Sequence, residues 1–154
     1  AAKVAFQREV SKLQGEMSAS GRIISEITNK LKYMKEAVKV VEQPIGPLSK
    51  AIRDIELRIK DINIRLYGDS VKRRLDIQQL TSPSSRLGSM AYEQKYSTAA
   101  PTQTHMSSFK IAKEEYLPIK EEIENLMKID VKNLEDELKS VGAPYTPGRI
   151  IEQQ

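Results

Sequence analysis

With 154 residues, 39% of them hydrophobic and 30% charged, the chain has the size and apolar content of one folded domain. The absence of cysteine excludes disulfides and thiolate metal centres, and a lone histidine, His105, excludes a multi-histidine site, so neither metal nor cofactor is expected. Its 25 basic and 21 acidic residues are interspersed, so the net charge of +4 describes a mixed solvated surface, and nucleic acid is not an expected partner.

No apolar run approaches the roughly 20 residues needed to span a bilayer, so no membrane span is expected. No signal peptide is expected within these residues, and any address signal is expected to lie on a part that precedes them. The chain opens on Ala1-Ala2 and passes directly into helical sequence, which reads as a fragment of a longer protein. With two Phe and no Trp, a core must be built from Ile, Leu, Val and Met.

The first element is expected over 4–42. Its apolar positions are Phe6, Val10, Leu13, Met17, Ile24, Ile27, Leu31, Met34, Val38 and Val41, with Ser20 completing the series. Steps of four and three alternate without a slip, the period of a left-handed coiled-coil seam. Gly15 and Gly21 flank the polar position, so a neighbour's backbone packs close there or the helix bends. Pro44, Gly46 and Pro47 stop the helix, and Pro47 suits the first turn of the next.

A second helix is expected over 48–67, with the seam Leu48, Ile52, Ile55, Ile59, Ile62 and Leu66. Glu56–Lys60 and Asp61–Arg65 are spaced as i,i+4 pairs. A short connection between two such helices implies antiparallel neighbours. Gly68 to Ser82 is expected to be an irregular crossing segment.

Ser82 and Pro83 form a cap and first-turn proline for a short helix over 83–97, with Leu87, Met90, Ala91 and Gln94 inward. After the break at Pro101, a helix is expected over 102–128, with the seam Phe109, Ala112, Tyr116, Ile119, Ile123 and Leu126 and a kink from Pro118 near Glu114. Asp130 reads as the cap of a last helix over 131–141, carrying Val131, Leu134, Leu138 and Val141 and stopped by Gly142. Residues 142–154 read as a terminal strap.

The expectation is therefore an all-α antiparallel bundle of four to five helices with one long N-terminal helix, filling residues 1–154 as a single domain. The first helix is about twice as long as the second, so one partner cannot cover it. The rest must be covered by the short middle helix, the last helices, another subunit or a further domain.

Catalytic readings are weak. Glu114-Glu115 and Glu121-Glu122 lie on one helix among Lys113 and Lys120, which describes a solvated face better than a pair of carboxylates across a cleft. His105 has hydroxyl neighbours but no defined Asp partner for a triad, and reads as a surface residue in the first turn of its helix. Lys72, Arg73 and Arg74 are candidates for gripping an acidic partner, or else a solvated loop or a helix-end cap. Tyr145, Pro147 and Arg149 stand in a stiff tail that either packs on the bundle or docks another domain.

That tail carries a family likeness. Gly142-Ala143-Pro144-Tyr145-Thr146-Pro147-Gly148-Arg149 resembles the GAPWTPGR-like ending of bacterial sortilin-like, neuraminidase-repeat glycosyl hydrolases, with Tyr145 where Trp is expected. Ser82-Pro83-Ser84-Ser85-Arg86-Leu87 is similar to that family's PSI-containing turn, and Ala100-Pro101-Thr102-Gln103-Thr104 to its (A/T)PT-T stretch. Lys110-Ile111-Ala112 with Leu117-Pro118 resembles its YRIA…EF-P helix, departing at Phe109-Lys110. In that family the catalytic or ligand-binding part is an N-terminal β-propeller, and no propeller repeat is present in this chain. The resemblance therefore implies the C-terminal helical domain, with no catalytic residue to carry over. It implies a periplasmic or extracellular setting, and as partners the propeller of the parent protein or a second copy. The expected role is non-catalytic: domain packing or protein–protein interaction. The alternative is a free-standing coiled-coil adaptor or oligomerisation domain binding a partner helix, and glycoside hydrolysis by the fragment itself is a distant third.

Overall fold

The computed structural model describes residues 1–42 and 44–144. Among them it is all-α: 81% of these residues are helical and none forms a strand. Helix α1 runs Ala2–Val38, α2 Gly46–Tyr67, α3 Ser70–Arg74, α4 Pro83–Tyr96 and α5 Gln103–Asn125. A π-helical segment, Leu126–Val131, joins α5 without interruption to α6, Lys132–Ser140.

The seams expected from the spacing are buried except at their ends, where Phe6, Val41, Phe109 and Val141 are half-buried. Val10, Leu13, Met17, Ile24, Ile27, Leu31, Met34 and Val38 of α1 are buried, and so are all six apolar seam positions of α2. Phe6 at the start of the α1 seam meets Phe109 at the start of the α5 seam edge-on, with ring centroids 5.7 Å apart.

The residues group into two compact units. One comprises Ala1–Gly21 with Asp61–Glu122, and the other Arg22–Lys60 with the chain from Ile123. In the first, α4 runs against the start of α1: the Lys3 amine donates to the Ser97 carbonyl, and Gln7 Nε2 to the Gln94 carbonyl at 3.2 Å. Helix α5 runs in the same sense as α1, Phe6 lying by Phe109 and Glu16 by Lys120. The first half of the long helix is therefore covered by α4 and α5 of the same chain. In the second unit, the end of α1 pairs with α2 and with α6. Lys35 reaches Glu56 at 2.7 Å, and Lys30 reaches Glu135 at 3.1 Å. Glu56 is thus spent on α1 and not on Lys60, whereas the expected Asp61–Arg65 pair does form, at 2.8 Å.

The polar position in the α1 seam has a specific partner. Ser20 and Tyr116 are both buried, and their hydroxyls lie 2.6 Å apart. A hydroxyl at this depth needs a partner, and each supplies the other's. Beside it, a Cβ on Gly21 would stand 2.7 Å from the Tyr67 hydroxyl, so a side chain packs close where a backbone approach or a bend was expected. Gly15 has open space around it.

Helices α1 and α2 each begin two residues early, and larger departures from the expected boundaries fall in three places. Helix α1 ends at Val38, four residues early, with i→i+3 bonds tightening residues 39–41. Residues 70–74 are helical inside the segment expected to be irregular. Asp130 caps nothing. It lies within the π segment, its carboxylate 3.2 Å from Arg58. The cause is the step from Leu126 to Val131. Five residues of α-helix turn about 500°, so one of these two would point roughly 140° off the core. The wider i→i+5 turn absorbs the extra residue, and both side chains remain 1% exposed.

Candidate interaction surface

The least regular stretch of the sequence is tightly built. Helix α2 stops at Gly68, which has φ +86° and whose amide closes on the Ile64 carbonyl at 2.8 Å. Asp69 then caps α3, one carboxylate oxygen accepting from the amides of Val71 and Lys72. The Gln79 side chain returns to the same residue: its Oε1 accepts from the Asp69 amide at 2.8 Å, and its Nε2 donates to the Asp69 carbonyl at 3.2 Å. Asp76 takes a left-handed φ of +53°, which its short polar side chain tolerates. The Ile77 amide donates to the Lys72 carbonyl.

This anchored segment turns its apolar side chains outward. Val71, Leu75 and Ile77 are each at least half exposed, and Leu80 is 95% exposed. Four large aliphatic groups in ten residues keep their apolar area in water although the segment is held in place. A hollow of about 630 Å³ opens beside them. Its apolar lining includes Ile64, Leu80, Pro83 and Ile119, and its charged lining Arg65, Asp69, Lys72 and Glu115.

The three basic candidates separate into different roles. Arg73 donates to the Tyr67 carbonyl at 2.8 Å, so it caps the end of α2. Lys72 lines the hollow and Arg74 is exposed, and among the described residues neither side chain enters an ion pair. Arg65, unremarked in the sequence as a site residue, is held between Asp61 at 2.8 Å and Glu122 at 2.5 Å. Its pKa is raised, chiefly by the hydrogen bond to Glu122, with burial opposing and Asp61 adding. A raised cation contributes fully below its unfolded pKa and loses that contribution only as pH climbs through the folded one, so Arg65 makes stability pH-dependent only in strong alkali. Tyr145, Pro147 and Arg149 lie outside the described residues, as does the strap beyond Pro144.

The carboxylate and histidine candidates are placed as well. Glu122 serves Arg65, Glu114 lies 3.8 Å from Lys110, and Glu115 lines the hollow with no ion pair among the described residues. His105 does stand in the first turn of α5, but it is not a free surface residue. Its side chain is 17% exposed and has a glutamate partner, Glu93 at 2.6 Å from Nε2. Nδ1 lies 3.3 Å from the Thr102 amide, which donates to it, and 3.0 Å from Gln94 Nε2. That pattern assigns the proton to Nε2, facing Glu93. Both ring nitrogens are spent fastening α4 to the start of α5, which leaves neither to serve as a base toward a substrate.

The sequence drew attention to the cations of this surface and missed Val71, Leu75, Ile77 and Leu80. The available signal was aliphatic residues that fit no helical seam, set in a stretch bounded by Gly68 and Ser82. No protein-family model, curated protein or solved structure matches the chain, so the likeness to sortilin-like hydrolases rests on the quoted residues alone.

Proposed function

We propose that this chain is a non-catalytic helical module that holds a protein partner against the surface built by residues 68–83. The observation that carries the reading is the outward set Val71, Leu75, Ile77 and Leu80 on a segment pinned by Asp69, Arg73 and Gln79. A pinned segment that leaves its aliphatic groups in water is organised for burial against something else. Of the polar candidates for chemistry, His105 and Glu122 are engaged in holding helices together.

The family resemblance supplies a setting for this role: the C-terminal helical part of an exported, propeller-bearing glycosyl hydrolase, with the propeller or a second copy as the partner. The adaptor alternative has less support, because helices of the same chain cover the seam of α1 that a partner helix would need.

A photo-crosslinking residue at position 80, in the protein as it occurs in its cell, tests the reading. The expected result is a discrete protein adduct that disappears when Leu75→Ser is added and is absent with the probe at exposed Lys12. Equal labelling from positions 12 and 80 would refute it, and turnover of a glycoside panel by the purified chain would overturn the non-catalytic part.

A further inference from the structure

Resting on the interaction reading above, we infer that the hollow beside residues 78–81 seats a non-helical peptide segment of the partner, carrying aliphatic side chains and one acidic group. Three observations converge on this occupant. The hollow, at about 630 Å³, falls within the size range that encloses a small ligand or a few side chains. Residues 78–81 are non-helical, and no hydrogen bond within the described residues engages the amide N–H of Gln78, Gln79, Leu80 or Thr81. Lys72 lines the same hollow without an ion pair.

Each feature selects part of the ligand. Unspent amides call for backbone carbonyls, and an extended peptide presents these where a helix has consumed its own. Ile64, Leu80, Pro83 and Ile119 call for aliphatic side chains, since burying Leu80 recovers apolar area now left in water. Lys72 calls for a carboxylate. Glu115 and Asp69 in the same lining oppose a uniformly acidic run, and they also oppose an anionic lipid surface, which would press many negative charges against them. The partner segment therefore carries a single acid among aliphatic residues.

A random peptide display library panned against the full chain, in parallel with its Lys72→Glu variant, tests this. The expected winners combine aliphatic residues with one Asp or Glu, and the variant selects Lys or Arg at that position instead. The leading peptide, synthesised and titrated into isotope-labelled protein, shifts the amide resonances of Gln78–Thr81 and binds the Lys72→Glu variant about tenfold more weakly or worse. Circular dichroism verifies that the variant stays folded, and Lys72→Met, which removes the charge and keeps the stem, gives an intermediate loss. Winners that ignore Lys72, map to other residues or bind as helices overturn the inference. Pelleting of the chain with phosphatidylserine–phosphatidylcholine vesicles, abolished by Leu80→Ser, overturns it in favour of a membrane. If no peptide binds while the position-80 probe still captures a protein, the inference fails and the interaction reading stands. If neither occurs, both fail.

Discussion

Helix α1 and the segment from Gly68 to Ser82 hold aliphatic residues at comparable density but put them to opposite uses. In α1 the aliphatics recur every three or four residues, and from Val10 to Val38 the seam is buried. In 68–82 they follow no helical period, and Val71, Leu75, Ile77 and Leu80 stay in solvent although capping bonds hold the backbone. Periodicity, more than hydrophobicity, separates residues buried in the fold from residues left in solvent.

The largest expected effect concerns phase. Deleting exposed Leu57 would rotate Ile59, Ile62 and Leu66 out of the core, at about 1.5–3 kcal/mol for each side chain lost. Deleting exposed Ile129 instead turns the five-residue step into four and removes the need for the π turn, so stability should stay within about 1 kcal/mol of the parent. Urea denaturation of the two deletions checks this, and equal losses would refute the role given to the π segment.

Next comes the contrast between the two regions themselves. Ile27→Ala empties a fully buried position and should cost about 2–5 kcal/mol. Leu80→Ser should change stability by no more than about 0.5 kcal/mol. A smaller effect falls on the polar member of the seam. Tyr116→Phe leaves the buried Ser20 hydroxyl without that partner, at a cost of about 1–3 kcal/mol. Adding Ser20→Ala should cost less than the sum of the two single changes, which thermal melts of the cycle will show.

The smallest effect distinguishes the two glycines. Gly15→Ala meets open space and should stabilise by about 0.5–1 kcal/mol. Gly21→Ala must push aside the Tyr67 hydroxyl and should gain less or lose. A matched pair of melting curves settles which glycine is needed for packing.

What was legible in advance follows the same division. The three-four steps in α1, α2 and α5, the Ser82 cap and the Gly68 and Gly142 stops are local signals, and the structure contains each of them. The step from Leu126 to Val131 reads as a break in the sequence, because α-helical arithmetic has no place for five. Helix α3 was missed because it is five residues long and held by Asp69, Gln79 and Arg73, not by an apolar stripe. The partners of Ser20 and His105 lie 96 and 12 residues away respectively, beyond any local pattern. Of the candidate site, Lys72, Arg73 and Arg74 were visible as a charge run. Their separation into one cap and two cations without ion pairs among the described residues depends on where the Tyr67 carbonyl ends up.

One measurement bears most directly on the division between core residues and the proposed docking residues: the urea midpoint of a chain carrying Val71→Ser, Leu75→Ser, Ile77→Ser and Leu80→Ser together. If these side chains belong to a partner surface, midpoint and slope match those of the parent chain. A drop as large as that of Ile27→Ala would make them core and leave the proposed surface without its basis.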